Sequence, residues 1–341
     1  MVFLDWASTS PIVKFSSQQY DGFHCNPNAA YAYAERKTLM DCEERIKAAI
    51  GVKSGHVLYF RCATEAIEWL LHETDNWNDT WGHSPYEHDA CLFGIRRLPD
   101  KLMSLDFYIH QWVNHITGEI FDIKTIRSQL HKTCKLIVDA TAGFGKAKLP
   151  SGLDDIADAL FMSGHKIGCP ELSFMWLSDN LCKWLGAAKD IRNQWGLHHG
   201  SLSVASVMAL TDAVEWACEN GDRVDGHSVG LYVQMNNLLD EARIEHHDVL
   251  EHQMFTCSIN AIRLNGINAD ALQQFLASRG IYVGVGGSAC SAAHDYRVLR
   301  AYGLTDDEAA EVIRVSFGDE TTARDIEALV EGIKEYRRQF C

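Results

Sequence analysis

Short apolar runs recur along this chain, and most are followed by a stretch with helical spacing. His56–Phe60, Lys135–Asp139, Ala159–Ser163 and Ser173–Ser178 read as buried strands, and Ser104–Val113 is strand-like. Around them Asn28–Ile50 places Leu39, Cys42, Ile46 and Ala49 at helical spacing, and Thr64–His72 and Ile123–Leu130 also read as helices. Ser203–Glu219 and Ser228–Glu241 read as two long amphipathic helices. Such alternation predicts an α/β layer built on a largely parallel sheet. No internal repeat or low-complexity linker interrupts it, and the whole chain has only six prolines.

The rhythm changes after about residue 225. A strand at Cys257–Leu264 is followed by a helix Asn268–Ser278, a strand Ile281–Val285, a Gly-rich turn and a helix near Tyr296–Tyr302. The strand Val312–Phe317 and a final helix Thr322–Gln339 complete the chain, the helix opening on a threonine cap with an acid in its first turn. This predicts a smaller α+β domain over 226–341, joined by 1–14, beside a large domain over 15–225.

Composition narrows the function classes. Lys and Arg number 31 against 46 Asp and Glu, a formal charge of −15, which suits a solvated surface and not a phosphate backbone; no direct nucleic-acid binding is expected. The apolar stretches are too short or interrupted to cross a bilayer, and Met1–Trp6 lacks the basic-then-apolar pattern of a secretory signal. The eleven cysteines are odd in number and contain no CxxC pair, so neither a disulfide framework nor a zinc ribbon is expected. The expectation is a reducing cytoplasm, no membrane and no metal site.

Six constellations carry possible chemistry. Ser163-Gly-His-Lys166 follows an apolar strand, so Ser163 and His165 could meet a phosphate while Lys166 reaches an aldehyde. Asp139 ends the strand Lys135–Asp139, where ligands bind in open α/β sheets and a carboxylate can pair with a protonated pyridine nitrogen. Arg61-Cys-Ala-Thr-Glu65 stands between a strand and a helix, a place for an anion. His88 in Pro85-Tyr-Glu-His88 could lie on a ring. Gly284-Val-Gly-Gly-Ser-Ala-Cys290 surrounds a thiol with small residues and a Gly-rich turn. Arg314, inside an apolar strand, needs a partner, either a substrate carboxylate or an internal acid. Each motif alone also has an ordinary structural use, as a loop lysine, a turn or helix cap, a structural histidine or a salt bridge.

Taken in order, the motifs resemble those of fold-type-I, class V aminotransferase-like enzymes, and within them the cysteine desulfurases. The resemblance runs nearly end to end, from Leu4-Asp-Trp-Ala-Ser-Thr-Ser-Pro11 through Asn26-Pro27, Cys62-Ala-Thr-Glu65, Glu87-His88, Asn114 with Gly118, Asp139 to Lys146, Ser163 to Lys166, Gly200-Ser201 and Gly287-Ser-Ala-Cys290 to Arg314. It implies a mostly parallel, seven-stranded type of sheet in the large domain and a homodimer using pyridoxal 5′-phosphate on L-cysteine. By the same resemblance Lys166 holds the cofactor and moves protons, Asp139 faces the pyridine nitrogen and His88 stacks on the ring. Ala63, Thr64, Ser163, His165 and, across the dimer, Ser201 bind the cofactor, chiefly its phosphate. Arg314 and Asn114 hold the substrate carboxylate, and Cys290 takes the sulfur as a persulfide for an acceptor protein, with His294 close behind it.

The chain also departs from that pattern. Ala142 stands where the family has glutamine, Cys169-Pro-Glu171-Leu replaces Gly-Pro-Lys-Gly, and His115-Ile116 replaces Asn and Glu. Two other readings therefore stand beside the first: a related cysteine or selenocysteine lyase without a stored persulfide, and a degenerate relative that binds a sulfur-transfer partner.

Overall fold

A computed structural model of the protein describes residues 1–20, 25–75, 79–92, 105–250, 253–285 and 295–340. Among these, the strands are β1 (Val2–Leu4), β2 (His56–Phe60), β3 (Trp81–His83), β4 (Phe107–Gln111), β5 (Lys135–Asp139), β6 (Ala159–Met162), β7 (Ser173–Leu177), β8 (His246–Asp248), β9 (Ile259–Leu264), β10 (Ile281–Val285) and β11 (Val312–Ser316). The chain divides into two compact units. One comprises Ile12–Trp112 and Asp122–Glu219, the other Met1–Pro11, Val113–Phe121 and Asn220–Cys341.

The first unit is built on a six-stranded sheet in the order β2-β7-β6-β5-β4-β3. The seven-stranded type was expected; six strands are present among the described residues, and 93–104 lie outside them. β3, β4, β5 and β6 run parallel, while β7 is antiparallel to both β6 and β2. The reversal follows from chain length: β6 and β7 are joined by a turn too short for the crossover that a parallel pair needs. β5, β6 and β7 are buried along almost their whole length, as strands covered on both faces must be. Trp81 stacks on Phe107 at 4.6 Å, tying β3 to β4 inside this core.

β2 is an edge strand, and its outer side is closed by one side chain. Gln194 is buried, its Oε1 accepting from the Tyr59 N–H at 2.6 Å and its Nε2 donating to the Tyr59 carbonyl at 3.3 Å. The side-chain amide takes the place of a neighbouring strand at that residue. To do so Asn193, Gln194 and Trp195 adopt φ of 49°, 51° and 61° in succession, a costly left-handed run for residues with a side chain.

The second unit carries a five-stranded sheet in the order β1-β10-β11-β9-β8, parallel only at β1–β10. The helices Ala269–Ala277 and Ala323–Phe340 pack on it through Leu272, Leu276, Ile326, Leu329, Val330 and Ile333. One expectation is corrected. Ser203–Glu219 and Ser228–Glu241 belong to a single helix, Val204–Glu241. The buried stripe Ala217, Gly221, Val224, Ser228, Leu231, Met235, Leu239 runs through the junction between them at unbroken helical spacing. Burial along that stripe outweighs the ~1 kcal/mol that each interior glycine costs. Among the described residues no helix is long and apolar enough to cross a membrane.

Candidate active site

In the first unit the strands β2, β3, β4, β5 and β6 all point the same way, so their C-terminal ends share one edge of the sheet. Phe60 leads there into Ala63 and Thr64, His83 into His88, Asp139 ends β5, and Met162 leads into Ser163, His165 and Lys166. This is the edge at which open α/β sheets bind their ligands.

The turn that carries Lys166 is the β6–β7 connection, closed by a single helical turn Gly164–Ile167. The Lys166 N–H donates to the Ser163 carbonyl at 3.2 Å and the Cys169 N–H to the Gly164 carbonyl at 2.9 Å. Gly168, at φ 81°, ends it in the left-handed conformation, and its carbonyl accepts from the amides of Lys14 and Phe15. Lys166 is left only 9% exposed. Ser163 is buried against Ser173, with the two hydroxyl oxygens 3.5 Å apart. Glu171, where the resemblance expects lysine, accepts from the Ser16 and Ser206 hydroxyls at 2.9 and 2.6 Å and from the Ser17 amide at 2.8 Å. The departure thus binds residues 16 and 17 to the flank of the lysine turn.

Asp139 is buried, with Oδ1 accepting from the Thr141 N–H at 2.8 Å and Oδ2 from the Cys91 thiol at 3.9 Å. The Thr141 hydroxyl beside it is buried and has no protein partner. Glu87, fully buried, accepts from the Gln111 N–H at 2.8 Å, which anchors the loop carrying His88 to the end of β4. His88 is half-buried and its Nδ1 accepts from the Ala90 N–H, leaving Nε2 to carry the ring proton. Glu87, Cys91 and Asp139 bring one potential ligand atom each within 4.8 Å of one another. Both carboxylates already accept main-chain N–H groups.

Burial, and then the charges of Lys166 and Lys146, push the His165 imidazole down to about 4. It is neutral at pH 7, so it can still donate one N–H to an anion without adding a third cation. Lys146 is itself 4% exposed. At the start of the helix Ala63–Asp75, Glu65 accepts from the Arg61 N–H at 2.6 Å and the Cys62 thiol accepts from the Glu65 N–H at 3.5 Å. The amides of Ala63 and Thr64 lie inside that first turn, where no intrahelical acceptor exists. Ser201 is exposed, and Gly200 before it has φ 137° with nothing within 4 Å of the space a Cβ would take. Ala142 is buried, with no group capable of the hydrogen bond that a glutamine would make.

The other expected residues fall in the second unit or outside the described residues. Arg314, in β11, is 1% exposed; its Nη2 donates to Asp5 Oδ1 at 2.7 Å and its Nη1 to the His115 carbonyl at 2.9 Å. The internal acid foreseen for this arginine is therefore Asp5, yet Nε remains buried without a partner. Asn114 is fully buried, its Oδ1 accepting from the Ile116 and Thr117 amides at 2.8 and 2.9 Å, and its Nδ2 also lacks a partner. Two orphaned donors on adjoining elements are a costly arrangement unless an anion completes it. Cys290 and His294 lie outside the described residues. Asp5, Cys91 and Glu171 were not singled out as site residues in the sequence, since their contacts come from distant parts of the chain; Thr141 was not either, and its orphaned hydroxyl shows only in the folded chain.

Comparison with known proteins bears on the family and the fold. A cysteine desulfurase IscS of Mannheimia succiniciproducens is 27% identical to the chain, covering 98% of it and 92% of the relative. Among solved structures, a NifS-like protein superposes with a TM-score of 0.83 at 19% identity, over 99% of this chain and all of that one. A NifS-like protein from Rickettsia africae gives 0.81 at 18% identity, over 99% of each. At such identities the structural likeness speaks for the fold, and it bears out the expected fold-type-I architecture. The aminotransferase class V family matches residues 104–329, well over half of the chain. The resemblance read from the motifs is borne out, and the chain belongs to the aminotransferase class V family.

Proposed function

We propose that the protein is a pyridoxal-phosphate-dependent cysteine desulfurase, which converts L-cysteine to L-alanine and passes the sulfur through Cys290 to an acceptor protein. We place it in the cytoplasm as a homodimer. Enzymes of this family are in general pyridoxal-phosphate-dependent. The observation that carries the reading is the convergence of Thr64, His88, Asp139 and Lys166 at one edge of one sheet.

The residues fit the cofactor. The orphaned Thr141 hydroxyl beside buried Asp139 is a place prepared for a polar ring, with Asp139 facing the pyridine nitrogen. The amides of Ala63 and Thr64, with Ser163 and neutral His165, form a donor set suited to a phosphate, and exposed Ser201 is the group that a second subunit would add. When bound, the cofactor supplies an electron sink for bonds to the substrate's α-carbon. Lys166 Nζ holds it and moves protons at the substrate carbon, while His88 covers the ring and offers the Nε2 proton. Arg314 Nε and Asn114 Nδ2 take the substrate carboxylate. Cys290 Sγ, as thiolate, attacks the substrate sulfur; the C–S bond breaks, its electrons go to carbon, and the carbon takes up a proton to give alanine. The role of Cys290 rests on the sequence alone.

The test is direct. Purified protein given L-cysteine and a thiol reductant should release alanine and sulfide in equal amounts. Alanine without sulfur loading of the protein would favour the lyase reading, and no alanine at all would leave the degenerate binding relative.

A further inference from the structure

Four adjacent strands of the second unit set out a row of residues. Leu4 of β1 pairs with Val283 of β10, so Asp5 stands beside Gly284; Gly284 pairs with Arg314 of β11, and Arg314 with Ala261 of β9. Both residues flanking Arg314 across the sheet are small. The arginine side chain reaches past β10 to Asp5, and it passes over Gly284 to do so. A Cβ at Gly284 would lie 2.9 Å from Nε, 3.0 Å from Nη2 and 3.0 Å from Asp5 Oδ1. The Nε distance is closer than real Cβ contacts allow and the other two are tight, and the buried guanidinium has little room to retreat. Asp5 Oδ2 is held by the Ser8 hydroxyl at 2.7 Å, its backbone bridges to Ser316, and Arg314 is 1% exposed.

The guanidinium thus lies directly against the bare Gly284 backbone, with the orphaned Nε and the Nη2 next to it both on that side. An incoming carboxylate would share the guanidinium with Asp5, a second carboxylate already fixed there. We propose that Gly284 and Asp5 are positioning residues that set how tightly Arg314 grips the substrate carboxylate. Gly284 lets the guanidinium lie against β10 with Nε and Nη2 in place, and Asp5 holds the fork there while weakening its attraction for a further anion. The inference rests on the reading of Arg314 as the carboxylate-binding group. It gives this chain a weak, easily reversed hold on amino acids, since the two anions repel across one cation.

The test uses the full-length, cofactor-loaded protein and three variants, with KM and kcat for L-cysteine and the dissociation constant of L-alanine read from the cofactor absorbance. Gly284→Ala should raise KM and the alanine constant by about tenfold or more, the scale of one lost charge-assisted hydrogen bond, with much less change in kcat. Asp5→Asn keeps an acceptor for Nη2 but removes the charge, and should move both constants the other way. Melting temperatures record any effect on folding. If Gly284→Ala fails to fold, Asp5→Asn still decides the matter. Were both variants to keep the parent constants while Arg314→Gln raises them, the pair would be a structural salt bridge only and the proposal overturned. If Arg314→Gln also leaves them unchanged, the underlying reading of Arg314 falls with it.

Discussion

Gly164 runs so close to Leu172 that a Cβ on the glycine would lie 2.1 Å from the Leu172 carbonyl oxygen, and 2.5 Å from that of Cys169. Both obstacles are main chain and cannot rotate away. The turn that presents His165 and Lys166 is therefore closed backbone against backbone, with Gly164 the residue that permits it. Gly164→Ala should cost more than the ~1–3 kcal/mol typical of overpacking, because the turn itself must open. The protein should purify with little bound cofactor, measured by absorbance after dialysis. Parent-level cofactor content in this variant would show that the closed turn does not position Lys166.

Lys166 has a buried competitor in Lys146, both close enough to His165 to depress its pKa. Borohydride treatment of the loaded protein should fix pyridoxal phosphate to the peptide containing Lys166, and Lys166→Ala should be colourless after dialysis. Label on the Lys146 peptide would reverse the assignment.

Gln194→Leu keeps the volume of the side chain that closes the edge of β2 but strips both hydrogen bonds to Tyr59. The Tyr59 N–H is left buried without a partner, which costs about 1–3 kcal/mol. Urea denaturation should show a lowered midpoint with an unchanged slope. A variant as stable as the parent would mean that water replaces the amide.

Acid sensitivity has an identifiable contributor in His110. Burial pushes its pKa down to about 4, although its Nδ1–H donates to the Gln111 carbonyl at 2.7 Å. The folded pKa lies below that of the unfolded chain, so between about pH 6.5 and 4 the unfolded state binds the extra proton. Stability is lost as pH falls through that window. The loss is roughly 2 kcal/mol between pH 7 and pH 5. His110→Gln should remove that part of the slope, read as the difference between parent and variant urea midpoints at the two pH values. Equal slopes would assign the acid loss to other groups.

Much of this architecture was legible because burial writes itself into short apolar runs. β5 and β6 were visible as such runs, and their motifs sit where the chain leaves the sheet. The final helix announced its cap and the acid in its first turn. What stayed hidden depends on contacts far apart in sequence. β3 has only three residues and is defined by its pairing with β4. Val113–Phe121 belongs with the unit of the termini, and nothing in its composition says so. Asp5 meets Arg314 across 309 positions, so the arginine was visible as a buried charge while its partner was not. The helix Val204–Glu241 was read as two, and the continuous buried stripe decided otherwise.

The measurement closest to the central claim is mass spectrometry of the protein after brief exposure to L-cysteine, with alanine measured in the same sample. The parent should gain one sulfur on the peptide that contains Cys290, among eleven cysteines in the chain. Cys290→Ala should still bind cysteine with a change of colour, because Lys166 and Asp139 are untouched, but should form little alanine and carry no extra sulfur. If Cys290→Ala releases alanine and sulfide at the parent rate, sulfur does not pass through this thiol and the protein is not a desulfurase of the kind proposed.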